Sequence, residues 1–157
     1  MKLFAGSILL LFLFSSSAKA QSNIGSHEYQ TALGVKFYPG SVSLKHFIKP
    51  KAAIEGLGYF WNRGFRVTGL YEFHQDLNIT DFPGLKWYVG PGAHVGFYNS
   101  KYGGGSSFGV DGVIGLDYKF EKAPVNLSLD WQPSFEFNGA YDGFSGNWGG
   151  LGIRYVF

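Results

Sequence analysis

Between Val125 and Phe137 the chain alternates without a break. Its odd positions are Val125, Leu127, Leu129, Trp131, Pro133, Phe135 and Phe137; its even positions are Asn126, Ser128, Asp130, Gln132, Ser134 and Glu136. Successive side chains of a strand leave opposite faces, whereas a helix would spread both classes around its circumference. The stretch is therefore an extended strand with one apolar and one polar face. Such a strand needs neighbours that continue both faces.

The rest of the chain supplies them. After residue 20 there is no helical period, and short alternating segments are separated by glycine, proline, asparagine and lysine clusters. Eight strands are predicted, over 29–38, 42–48, 52–61, 64–74, 85–98, 108–120, 125–137 and 147–157. In the first, Thr31, Leu33, Val35 and Phe37 oppose Gln30 and Lys36. In the fourth, Phe65, Val67, Tyr71 and Phe73 oppose Arg66, Thr68, Glu72 and His74. In the sixth, Phe108, Val110, Ile114, Leu116, Tyr118 and Phe120 oppose Asp111, Asp117 and Lys119. The segments 42–48 and 52–61 have a weaker phase.

Alternation alone leaves two folds open. A soluble periplasmic ligand-binding barrel turns its apolar face inward; a membrane barrel turns it out. The glycines discriminate. Gly34, Gly90, Gly92, Gly96, Gly109, Gly115, Gly150 and Gly152 all share the polar face, and small residues suit the crowded interior of a narrow barrel. Aromatics near predicted strand ends, namely Tyr29, Phe37, Trp87, Phe97, Phe120, Phe137, Tyr155 and Phe157, suit girdles at two membrane interfaces. The expected fold is all-β, an eight-stranded antiparallel transmembrane up-and-down β-barrel.

The ends of the sequence agree with that expectation. Lys2, the apolar run Leu3 to Phe14 and the small-x-small site Ala18-Lys19-Ala20 read as a cleaved secretory signal peptide over 1–20, with the barrel domain over 21–157. Twelve apolar residues are too few for a spanning helix, which needs about 20. Of 13 basic residues, losing Lys2 and Lys19 leaves a number equal to the 11 acidic ones. A neutral domain is not expected to bind nucleic acid. Cysteine is absent, so stability has to come without disulfides, as it does in a closed barrel. Alternate aromatic and apolar residues ending on Tyr155 and Phe157 read as a C-terminal insertion signal for the barrel-assembly machinery. With both ends periplasmic, 138–146, 99–107 and Asn62-Arg63 are expected outside and 121–124 inside. The stretch Gln75 to Gly84 is long for a periplasmic turn.

The inward face carries the charges. Lys36, Lys45, Arg66, Lys86, Lys119 and Arg154 are expected there against Glu55, Glu72, Asp111, Asp117, Asp130 and Glu136, six of each sign. The interior of an eight-stranded barrel is just filled by side chains. Charges at that density have to pair, because an isolated buried charge is prohibitively costly. His74 and His94 are read as hydrogen-bonding members of the same network. The expectation is a paired, closed lumen, with a narrow solute channel as the alternative reading around Gly90, Gly92, His94 and Gly96.

The segments Ser43-Leu44-Lys45-His46-Phe47, Ala53-Ile54-Glu55-Gly56, Thr68-Gly69-Leu70-Tyr71-Glu72, Gly92-Ala93-His94-Val95-Gly96-Phe97 and Ala123-Pro124-Val125-Asn126-Leu127-Ser128-Leu129-Asp130-Trp131 resemble a family of small, largely uncharacterised outer-membrane β-barrel proteins of Bacteroidota. The resemblance covers most of the chain after residue 20. It implies the cell outer membrane and an eight-stranded barrel similar in architecture to the outer membrane protein A and X type, without that first protein's peptidoglycan-binding domain. It brings no established activity.

No catalytic role is expected, and no cofactor or metal. His27, His46, His74 and His94 are the available bases, and Ser128 and Ser134 share a face with Asp130. A Ser-His-Asp arrangement would lie in a closed lumen, and nothing resembles the His-x-Ser-Asn pattern of barrel lipid A deacylases. Partners are expected to be outer-membrane lipid, lipopolysaccharide and the assembly machinery, the barrel being a monomer. Tyr98, Lys101, Tyr102, Tyr141, Phe144 and Trp148 form an expected outer rim, suited to an interface belt or to adhesion.

Overall fold

The computed structural model describes residues 28–138 and 142–157. The expected signal segment, His27 and Tyr141 lie outside them. Eight strands follow in order: β1 Thr31–Phe37, β2 Ser41–Lys49, β3 Ala52–Trp61, β4 Gly64–Asp76, β5 Leu85–Tyr98, β6 Gly105–Lys119, β7 Val125–Asn138 and β8 Gly143–Val156. Each pairs antiparallel with the next, and β8 returns to β1 through Ala32↔Val156 to Phe37↔Leu151, closing the barrel. No strand edge is left open, so backbone groups are satisfied between strands throughout.

The connections follow local chemistry. Asn62-Arg63 closes β3 onto β4 as a two-residue hairpin, and Gly40 (φ 107°) completes the Tyr38-Pro39-Gly40 turn after β1. The β5–β6 connection holds a short 3-10 turn, Ser100–Tyr102, followed by Gly103 and Gly104 in left-handed conformation. Between β4 and β5, residues 77–84 carry a small bridge, Ile79↔Phe82. Pro133 has no N–H to give the ladder, and the β7–β8 register shifts there, between Gln132 and Ser134.

Two expected strand starts change. β6 begins at Gly105 and β8 at Gly143, each earlier than alternation suggested, because glycine and serine continue the ladder without announcing a face. The expected outer loops shrink accordingly. The segment 77–84, already long for a turn in the sequence, lies at the end that carries the termini.

The two faces are sharply sorted. Leu33, Val35, Leu44, Ile54, Val67, Val110, Leu129 and Ile153 point out of the barrel, each 40–60 % exposed. Phe37, Trp87, Phe97, Phe120, Phe137, Tyr155 and Phe157 also point outward. Tyr29 does not. It is buried inside the terminal end, edge-on against Phe47 at 5.0 Å. Among the described strand residues, exposed charges occur only at strand ends, Lys49 and Asp76. The glycines of the inner face do more than save lumen space. A Cβ at Gly90 would collide with the Tyr71 carbonyl, and one at Gly109 with the Phe135 carbonyl and the His94 ring.

Candidate functional site

Inward-facing positions of all eight strands meet in the lumen and form two charged sets. The first is centred on Glu55 of β3. Arg154 of β8 pairs with one of its oxygens, and Lys36 of β1 and Lys45 of β2 approach the other at 3.3 and 3.9 Å. Arg154 also donates to Ser43 (2.6 Å), Asn126 (3.0 Å) and Ser128 (2.7 Å), so all three of its nitrogens are engaged. Lys36 pairs with Asp130 of β7 at 2.5 Å, and Asp130 further accepts from the Tyr88 hydroxyl and from Gln132 at 3.0 Å. Lys45 pairs with Glu72 at 2.8 Å and with Asp117 at 3.5 Å. His74 shares Glu72 at 2.9 Å, while Tyr29 and Asn126 donate to Asp117 at 2.9 and 3.0 Å.

The second set lies toward the distal end, away from the termini. Arg66 of β4 pairs with Asp111 of β6, and the Nδ1 of His94 lies 2.8 Å from the other Asp111 oxygen. Glu136 of β7 sits 3.7 Å from Arg66 Nη1 and 3.5 Å from His94 Nε2, and accepts from the Tyr98 hydroxyl at 3.0 Å. The Arg66 guanidinium lies over the Trp148 ring at 4.1 Å. Between the two sets Tyr59 reaches both ways. Its hydroxyl donates to Gln132 at 2.7 Å, and its ring meets Trp148 edge-on at 5.0 Å. Tyr59 belongs to an apolar cluster with Leu57, Leu70, Tyr88 and Val113, against which Trp61 and Trp148 pack.

The heart of the first set is closed to bulk solvent. The side chains of Lys36, Lys45, Glu55 and Arg154 have no accessible surface. Desolvated ions are held only where geometry and extra hydrogen bonds compensate, and Glu55 is compensated four times over, by three cations and the Ser43 hydroxyl at 2.5 Å.

Of the residues expected inside, Lys36, Lys45, Glu55, Arg66, Glu72, His74, His94, Asp111, Asp117, Asp130, Glu136 and Arg154 lie in these two sets. Lys86 is different. It is part-exposed at the terminal rim, 3.9 Å from both Glu28 and Asp76, because it follows immediately on the strand's start. Lys119 is buried as the last residue of β6. Pairing is also not one-to-one. Lys36, Lys45, Arg66 and Arg154 serve six carboxylates, and neutral donors meet the remainder: Tyr29, Tyr88, Tyr98, Ser43, Asn126 and Gln132. The phenols were missed. Their signal was parity, since Tyr88 and Tyr98 alternate in phase with His94. Trp148 and Tyr98, expected on an outer rim, turn into the lumen; Phe144 alone among the described rim aromatics is strongly exposed. Ser128 accepts from Arg154.

Clefts open at both ends. The terminal one, about 260 Å³, lies among Tyr29, Phe47, Lys49 and Lys86. The distal one, about 680 Å³, is walled by Tyr38, Trp61, Tyr98, Phe144 and Trp148, with Glu136 at its base. No family model, curated protein or solved structure matches the chain.

Proposed function

We propose that this chain is a small integral barrel of the cell outer membrane, of the Bacteroidota type its segments resemble, with a closed lumen and a structural or surface-interaction role. The observation that carries this reading is the sorting of side chains: apolar outside, ionised inside and sealed from water. Burying a Leu, Ile, Val or Phe side chain is worth about 1.5–3 kcal/mol. Leaving Leu33, Val35, Leu44, Ile54, Val110, Leu129 and their neighbours half exposed to water would forfeit a sum comparable to the whole stability of a domain, about 5–15 kcal/mol. Acyl chains remove that cost. The outward aromatics near strand ends suit the interfaces, and Tyr155 and Phe157 at the foot of β8 suit recognition by the assembly machinery.

The test is the solvent. Expressed in a bacterium, the protein should fractionate with the outer membrane, migrate as a folded, heat-modifiable band and need detergent to stay monomeric. A folded monomer in plain buffer would overturn the reading and favour a periplasmic carrier. Planar bilayers containing it should show no reproducible conductance steps, because Glu55, Lys45 and Arg154 close the lumen. Steps would restore the channel alternative.

A further inference from the structure

β8 is paired on both sides only over its terminal half. Toward β1 its ladder runs from Val156 to Leu151, opposite Phe37, and there β1 turns away through Tyr38-Pro39-Gly40. In the continuing register position 39 falls opposite Gly149, and a proline has no N–H to give. Toward β7 the ladder continues as far as Gly143, opposite Glu136. Residues 143–150 of β8 therefore keep one edge beside which, among the described residues, no strand runs. Across the gap stands β3, whose ladder with β2 ends at Tyr59↔Ser41, with one further bond from the Phe60 N–H to the Gly40 carbonyl. The places of β1 and β2 separate β8 from β3, about 14 Å at roughly 4.8 Å between paired strands. The distal wall lacks the upper part of one hairpin.

The distal cleft occupies that gap. It is lined by the Tyr38-Pro39 turn below, by Phe144 and Trp148 of β8 on one side and by Trp61 of β3 on the other. Trp61 and Trp148 meet edge to face at 5.3 Å on its inner side, while Phe144 and Tyr38 stand 69 % and 80 % exposed at its flanks. Two independent features coincide here: a row of unpaired main-chain donors and acceptors, and an aromatic hollow alongside it.

Backbone groups repeating along a strand are matched by another extended backbone. The hollow carries Arg63 together with Glu136 and Asp142, so it selects no net charge and accommodates neutral amides. The β8 edge is bulged where its register with β7 shifts. Bulges discourage indiscriminate edge pairing, so the side chains entering the hollow set the specificity. The chain does not fill the gap itself. The three residues joining Asn138 to Asp142, at about 3.3–3.6 Å each, are too few to run beside 143–150 and return, and Glu28, the first described residue, lies at the opposite end. A second copy fits poorly too. Two copies standing in one membrane run β8 in the same direction, which leaves only the less stable parallel pairing.

We propose that this gap receives an extended segment of another protein, which adds to the free edge of β8 as a strand and lays alternate apolar side chains on Trp61 and Trp148. The proposal names a partner class for the surface-interaction role above, and rests on that reading only for the gap's facing the cell exterior.

The chain from residue 21 onward, in bilayer nanodiscs, is panned against a phage-displayed library of random twelve-residue peptides, with empty nanodiscs as counter-selection. The best binder is synthesised and titrated. It should bind at micromolar concentration or tighter and shift the backbone amide resonances of Phe144 to Gly149. Two versions of that peptide, N-methylated at alternate residues in opposite phases, separate backbone pairing from side-chain contact. One phase should weaken binding tenfold or more and the other less than threefold. Trp61→Ala should weaken binding tenfold or more; if that variant fails to fold, the N-methylated pair decides alone. Failure to enrich any peptide, equal effects of the two phases, or resonance shifts confined to residues outside the gap overturns the proposal. So does a Phe144→Cys variant that crosslinks to itself in lipid vesicles, which would give the edge to a second copy. Peptide binding by a chain that stays folded in plain buffer would refute the membrane reading and leave this site standing.

Discussion

Arg154→Met is the sharpest probe of the lumen. In the parent, Arg154 makes four hydrogen bonds, to Ser43, Asn126, Ser128 and Glu55, with its side chain fully buried. Methionine matches the length of the stem and supplies none of them. Removing one partner of a buried ion pair costs about 3–5 kcal/mol, since the other charge stays buried. The pairing around Arg154 deepens the loss: Lys36, Lys45, Arg66 and Arg154 are shared among six carboxylates. Glu72→Gln removes one of those carboxylate charges. Lys45 then still has Asp117 at 3.5 Å and Glu55 at 3.9 Å, and Glu72 has one oxygen without a partner to begin with. Its cost should be about 1 kcal/mol or less, the net worth of one hydrogen bond. Reversible urea unfolding in detergent micelles, followed by tryptophan fluorescence, gives both numbers from midpoints at constant slope. Arg154→Met should lower the folding equilibrium constant by about two to three and a half decades at about 1.4 kcal/mol per decade, and Glu72→Gln by less than one. Equal effects, or a parent-like midpoint for Arg154→Met, would refute the idea that Arg154 serves more groups than Glu72 does.

Other expectations follow from the walls. Leu129→Lys, on the outer face, should lose about 2–4 kcal/mol of stability in lipid vesicles if it lies near mid-bilayer, and an unchanged midpoint in vesicles would contradict the outward reading. Asp130→Leu strips the acceptor from Lys36, Tyr88 and Gln132 and should cost about 3–5 kcal/mol; resistance to urea equal to the parent's counts against a paired interior. Gly109→Ala should be destabilised by about 1–3 kcal/mol through overpacking, because its Cβ meets backbone and the His94 ring. Gly69→Ala faces open space and should unfold within about 0.5 kcal/mol of the parent.

Much of the barrel was legible because two periods coincide: the strand's period of two and the sorting of apolar from polar groups across the wall. Where a residue's polarity matched its face, as with Asp117, Asp130 or Leu129, alternation placed it. Where a lumen position is apolar, the same rule fails. Leu57, Tyr59, Leu70, Tyr88 and Val113 face inward to fill the barrel, which is why 52–61 showed a weak phase. Tyr29 misled for the opposite reason. An aromatic near a strand end suits a girdle, but its hydroxyl was needed by Asp117. The distal cleft was invisible because it joins residues from β3, β5, β7, β8 and the turns after β1 and β3 that share no local pattern.

The staves of this cylinder are unequal. β1 has seven residues and closes on β8 through six registered pairs, while β6 has fifteen and meets β5 through fourteen. The lip is thus low beside Tyr38 and tall opposite, like a jug cut on a slant. The seam at β1 has the fewest hydrogen bonds to break, so it is where the cylinder would unzip first, and the amides of Ala32 to Phe37 should exchange with solvent ahead of those buried in the tall wall.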